Sequence, residues 1–219
     1  LTLIFGVMGL INLAHGSLYM VGAFVAAAVA GLTGSFLLAL LAALMASAIA
    51  GGLVEMVVIR RLYNRNHLDQ VLATFALILI FSEGTRWLFG SFPLYLDIPF
   101  YLQGPAALPG GIMYPLYRIA LILMGLLVAL ALWLLVSRTR IGIQIRAGEN
   151  DREMIAALGV DISRLYTFVF ALGAALAGLA GAAQGLGQAG ALSRGIEQAE
   201  LTEAFRDFIE ERDFQGGQV

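Results

Sequence analysis

Arg146-Ala147-Gly148-Glu149-Asn150-Asp151-Arg152-Glu153-Met154 is a charged island between two apolar runs, 117–136 and 164–187. Each run is long enough to cross the hydrocarbon core of a bilayer, which takes about 20 residues. A second stretch, Gly9-Leu10-Ile11-Asn12-Leu13-Ala14-His15-Gly16, does the reverse and sets polar side chains inside an apolar run. Together they describe a membrane-embedded bundle with a polar handle for a soluble partner.

Composition agrees. The chain has 219 residues, 60% of them hydrophobic and only 13% charged, with mean hydropathy +0.86. A soluble domain carries roughly 25% charged residues. The expected fold class is therefore all-α, a polytopic transmembrane helical bundle. The 26 glycines fit, because small residues let membrane helices approach closely. The absence of cysteine excludes disulfides and thiolate metal sites. With His15 and His67 the only imidazoles, a histidine-built metal centre is not expected. No cofactor is expected either.

The apolar runs are 1–31, 35–59, 69–90, 117–136 and 164–187. The first is too long for one simple span and is interrupted by Asn12, His15 and Gly16. It reads as a broken hairpin: a helix over 1–12, a break, and a second helix over 17–31. That makes about six membrane segments. Arg60, Arg61 and Arg65 lie in one connection, and Arg138, Arg140, Arg146 and Arg152 in the segment 137–163. Two spans separate these connections, so both should face the cytoplasm. The connection 91–116 has no arginine and holds all five prolines of the chain. It reads as a structured external loop. Multi-pass insertion in a membrane follows, with the lipid bilayer as one partner. Nothing basic here suggests nucleic acid.

The organisation divides at 188. Residues 1–188 carry 10 Arg against 8 acids, whereas 189–219 carry 3 Arg against 7 acids. The transmembrane domain is 1–188, and 189–219 is a charged amphipathic tail. In the tail, Leu201, Ala204, Phe205, Phe208 and Ile209 fall on one helical face. The run 164–187 has small residues four apart: Gly173, Ala177, Gly181 and Gly185, with Ala174, Gly178 and Ala182 in the adjacent row. One side of that helix is nearly bare backbone. Tight packing and pore lining both use such a face.

Within 137–163, Asn150 and Glu153 have the spacing of a capping box, and Gly159 is a natural stop. A two-turn helix over 150–158 is expected, with Met154, Ile155 and Leu158 on one face. A helix so short is marginal alone and would gain by seating that face in a partner's groove. A solvated loop is the alternative.

The order Arg146-Ala147-Gly148-Glu149-Asn150-Asp151-Arg152-Glu153-Met154-Ile155-Ala156-Ala157-Leu158-Gly159-Val160 resembles the cytoplasmic loop of the branched-chain amino-acid permeases of ATP-binding-cassette importers. Arg138-Thr139-Arg140-Ile141-Gly142 is similar to the same family, as are Ile11-Asn12-Leu13-Ala14-His15-Gly16 and Tyr19-Met20-Val21-Gly22-Ala23. The resemblance covers about 1–187. It implies that the loop couples to the ATPase through Arg146, Glu149, Asn150, Arg152, Glu153, Met154, Ala157, Leu158 and Gly159. It further implies a second permease subunit, two cytoplasmic ATPase subunits, an external solute-binding protein and a place in the bacterial inner membrane. The chain itself would hydrolyse nothing and would hold no catalytic residue. Relatives continue with further membrane helices after the position of Gly187, so the chain reads as truncated, with its upstream start missing.

Polar groups in hydrocarbon face a bundle interior or a wet cavity. Asn12, His15, Gly16 and Tyr19 are thus candidates for the translocation path. Satisfying broken-helix backbone is the other role open to Asn12 and His15. Glu83 and Arg86 read as an interfacial i, i+3 pair, and Glu55 as a carboxylate snorkelling from the inner end of its span. Alternative functions are a permease of the same architecture for urea, amides or ribose-like sugars, and a non-functional fragment. A secondary transporter would require ion-coupling carboxylates in mid-span, where there are almost none.

Overall fold

The computed structural model describes residues 12–63, 65–90, 96, 98–107 and 113–188, apart from the Arg152 side chain. Among these, five helices are long and apolar enough to cross a membrane. They are α1 (His15–Thr33), α2 (Phe36–Val57), α3 (His67–Phe89), α4 (Leu116–Arg138) and α7 (Ile162–Gln188). Two short helices, α5 (Arg140–Asn150) and α6 (Arg152–Ala157), fill the connection between α4 and α7. The segment expected over 1–12 lies outside the described residues, apart from Asn12. The amphipathic tail 189–219 lies wholly outside them.

Local chemistry sets the boundaries. The Asn12 side-chain oxygen accepts from the Ala14 N–H at 3.0 Å, just before α1 begins. Gly34 ends α1 with φ +65°, and the Ser35 hydroxyl accepts from the Leu38 N–H at 3.5 Å to start α2. Two residues therefore turn the chain through a tight helical hairpin. A 3-10 turn, Ile59–Arg61, follows α2.

The centre of the bundle is α7, the most buried of the crossing helices. Its small-residue face explains this. A Cβ on Gly22 of α1 would stand 2.2 Å from the Gly178 Cα, and a Cβ on Gly51 of α2 would stand 2.2 Å from the Ala174 Cβ. Helix backbones can come this close only where side chains are missing. The Ser47 hydroxyl donates to the Leu18 carbonyl at 3.3 Å in the same crossing. By contrast, α4 buries none of its apolar stretch within the chain. Its Ile122, Leu123, Leu126, Leu127, Leu130 and Trp133 are exposed, as suits a surface bathed in lipid. An apolar recess of about 450 Å³ separates it from α7.

The two ends of the bundle differ. At one, Ile59, Ile145, Leu165, Tyr166, Val169 and Phe170 form a buried cluster, with Tyr63 and Leu62 packed against it. Both arginine-bearing connections lie here. At the other, Leu96 and Tyr117 pack with Ala26, Ala27, Ala182 and Leu186. The proline-bearing connection lies there. It includes a small antiparallel hairpin, β1 (Pro105–Ala107) with β2 (Met113–Pro115), pairing Ala106 with Tyr114. The expected structured loop is thus partly β, and these are the only strands among the described residues.

Candidate coupling end and solute path

The connection 137–163 is two helices, not the single one expected over 150–158. The Thr139 hydroxyl accepts from the Gly142 N–H at 3.1 Å and opens α5. Ile145 and Gly148 are buried, and a Cβ on Gly148 would meet Leu165 at 3.5 Å. These positions lay α5 against the start of α7. Arg146 stays exposed and its guanidinium donates to the Val136 carbonyl.

Asn150 is the last residue of α5, and the cap of α6 is its neighbour: the Asp151 carboxylate accepts from the Met154 N–H at 3.0 Å. Asp and Asn are equally good caps, so spacing to Glu153 favoured the wrong one of two adjacent residues. Gly159 is the stop, as expected. It has φ +86°, its N–H donates to Ala156 O at 3.0 Å, and the Val160 N–H donates to Ile155 O at 3.3 Å. That bond pair is the Schellman arrangement, which requires a left-handed residue.

The predicted apolar face divides. Ile155 is buried, while Met154 and Leu158 are 61% and 72% exposed. Glu149, Asn150, Glu153, Ala157 and Gly159 are exposed as well. Of Arg152 only the backbone is described, as the first residue of α6. The expected coupling residues whose side chains are described are all exposed, and Ile155 between them is buried.

Glu55 does not snorkel. It is fully buried, and its carboxylate is met on every side. Oε2 accepts from the Thr167 hydroxyl at 2.6 Å and from Arg60 Nη2 at 3.2 Å. Oε1 accepts from the Tyr63 hydroxyl at 2.9 Å and from Arg60 Nε at 3.5 Å. Arg60 Nη2 also donates to Thr167 Oγ1 at 2.8 Å. Buried carboxylates persist only when so paired. Burial, reinforced by the Glu55 charge and hydrogen bond, pushes the Tyr63 phenol above its ordinary range, so it stays protonated and donates. Tyr63 sits edge-on to Tyr166, ring centres 5.2 Å apart.

The other candidate residues separate. Asn12 is buried, and Gly16 is exposed with open space around its Cα. Asn12 does the backbone work described above, and its Nδ2 has no hydrogen-bond partner among the described residues. His15 is half-buried. Of the four, Tyr19 borders a cavity of about 150 Å³. Ala23, Phe24, Leu96, Gly181, Gln184 and Gly185 also line it. The small-residue face of α7 thus serves two ends: Ala174 and Gly178 pack, and Gly181 and Gly185 also border space. Glu83 and Arg86 form an exposed pair at 3.3 Å, consistent with the interfacial reading.

The family model for the branched-chain amino acid transport system permease component matches residues 1–205. The chain belongs to that family. The permease BraD of Pseudomonas aeruginosa, named for high-affinity branched-chain amino acid transport, is 30% identical over 208 residues, covering 89% of this chain and 67% of the relative. LivH of Salmonella typhimurium, likewise named for high-affinity branched-chain amino acid transport, is 26% identical over 192 residues, with 82% and 62% covered. A probable LivH of Methanocaldococcus jannaschii is 28% identical over 193 residues, with 83% and 58% covered. The chain thus spans about two thirds of the length of these relatives. No solved structure matches it. As a branched-chain amino acid permease family member with five apolar crossing helices, it is a multi-pass inner-membrane protein.

Arg60, Tyr63 and Thr167 had no signal as site residues in this permease's sequence. Thr167 stands 112 positions from the carboxylate it contacts. Only the charge of Glu55 in an apolar run hinted that a partner must exist.

Proposed function

We propose that this chain is the membrane-spanning permease subunit of an ATP-binding-cassette importer that carries branched-chain amino acids inward. In this reading it pairs with a second permease subunit, receives solute from an external solute-binding protein on the 91–116 side, and is driven by two cytoplasmic ATPase subunits. ATP hydrolysis belongs to those partners. The observation that carries the reading is the outward surface of α5–α6. Exposed Met154 and Leu158 stand one turn apart on a helix capped at both ends, with exposed Glu149 and Glu153 beside them. A capped helix offering apolar anchors within a charged rim suits seating in a partner's groove. The arginines at that end of the bundle support a cytoplasmic location.

On the opposite side, the cavity at Tyr19 supports a solute path along the α1–α7 crossing. Asn12, His15 and Gly16 precede it on the same helix or its cap, and they shape the entry of α1 rather than the cavity wall. ATPase closure would press on α6 and tilt α7, which follows it after a short connection, and would reach α4 through α5.

Co-purification with the ATPase subunits tests the proposal. The double variant Glu149→Ala with Glu153→Ala is expected to stay in the membrane at normal level and to recover at least tenfold less ATPase. Each lost charge pair in a docked interface is worth about 1 kcal/mol or more. Undiminished recovery, or no ATPase recovered with the unaltered chain, defeats it.

A further inference from the structure

The Glu55 cluster has no counterpart in the functions assigned so far. It is a charged group buried at considerable desolvation cost, placed where α2, the arginine turn and α7 converge. It differs from a packing contact in that its bonds join elements distant in sequence. Thr167 belongs to the first turns of α7, Glu55 to the last turn of α2, and Arg60 and Tyr63 to the connection beyond it. The same apolar cluster that includes Leu165 and Tyr166 takes in Ile145 of α5. Contacts therefore run from α5 to the start of α7, and from Thr167 into α2.

We propose that Glu55 is a positioning residue, the pin of a joint that makes α2 move with α7 when the α5–α6 surface is displaced. Without the pin, α7 would be tied to α2 only through the close apolar crossing at Gly51–Ala174 and Ser47–Gly178, with no polar bond from Thr167 into the last turn of α2. With it, movement reaches α2 and hence α1, which is hydrogen-bonded to α2 through Ser47 and Leu18 and borders the cavity at Tyr19. The inference rests on the importer reading above. It adds which residues carry the movement.

Thr167 gives the gentlest test. Thr167→Val keeps shape and removes the hydroxyl that joins α7 to Glu55, while Arg60 and Tyr63 still satisfy the carboxylate. Thr167→Ser restores the hydroxyl. The assembled importer is placed in proteoliposomes and read for ATPase recovery, basal ATP hydrolysis, hydrolysis stimulated by receptor loaded with leucine, and uptake of radiolabelled leucine. The expected result for Thr167→Val is unchanged assembly and basal hydrolysis. Stimulation and uptake should fall about tenfold, the scale of a lost hydrogen bond to a charged group, and Thr167→Ser should recover both. A merely structural threonine would lower assembly and basal hydrolysis together. That outcome overturns the proposal, as does stimulation within twofold of the unaltered protein. If the unaltered chain binds no ATPase, the importer reading fails and the joint fails with it. Normal coupling in Thr167→Val removes the joint alone.

Discussion

A Cβ added to Gly178 would stand 2.0 Å from the Ser47 hydroxyl oxygen, so the α2–α7 crossing has no room for even one methyl group. The same glycine lies against Gly22 of α1. Three helices therefore meet at a point where two of them contribute only backbone. Gly178→Ala is expected to destabilise the bundle by about 1–3 kcal/mol, the usual range for overpacking. Thermal unfolding in detergent, followed by size-exclusion fluorescence, should show a lower midpoint. A midpoint equal to that of the unaltered protein would contradict this packing.

Asp151 caps α6 through a single bond to the Met154 N–H. Asp151→Ala should loosen α6 by about 1 kcal/mol, with the spans unaffected. Amide hydrogen exchange should accelerate roughly fivefold across 152–158 and stay constant in α7. Uniform protection across α6 in the variant would mean that its cap lies elsewhere.

Phe100 and Asn150 are both exposed and sit at opposite ends of the bundle. With Phe100→Cys and Asn150→Cys, an impermeant thiol reagent applied to intact cells should label the first and leave the second until the membrane is opened. Labelling of both from outside would reverse or abolish the arginine-based orientation.

Gly185 borders the cavity, and a Cβ there meets Leu96 at an ordinary 3.7 Å. Gly185→Leu should therefore fold normally while filling much of the space beside Tyr19. Leucine uptake is expected to drop at least tenfold with membrane level retained. Full uptake would take the cavity off the solute path.

The spans could be read from the sequence because hydrocarbon imposes a composition on every residue that meets it. Leu116–Arg138 needed no tertiary information. The charged connection was legible for the same reason, as an interruption. Its internal structure was not. Whether Asn150 or Asp151 caps α6 depends on where α5 ends, and α5 ends where Ile145 and Gly148 run out of contact with the start of α7. Glu55 was misread because a carboxylate in the last turn of a span can reach the interface or turn inward. The choice was made by Thr167 and Tyr63, whose proximity is a property of the folded bundle. The small residues of α7 announced close approach, yet which of them touch helices and which border space depends on the crossing with α1.

Asp151 at one end and Gly159 at the other confine six helical residues using only their own stretch of chain. The exposed Met154 and Leu158 are accordingly held at fixed separation before anything binds them. A protein arriving at this surface would meet a finished shape, and little of the association free energy would be spent on ordering it.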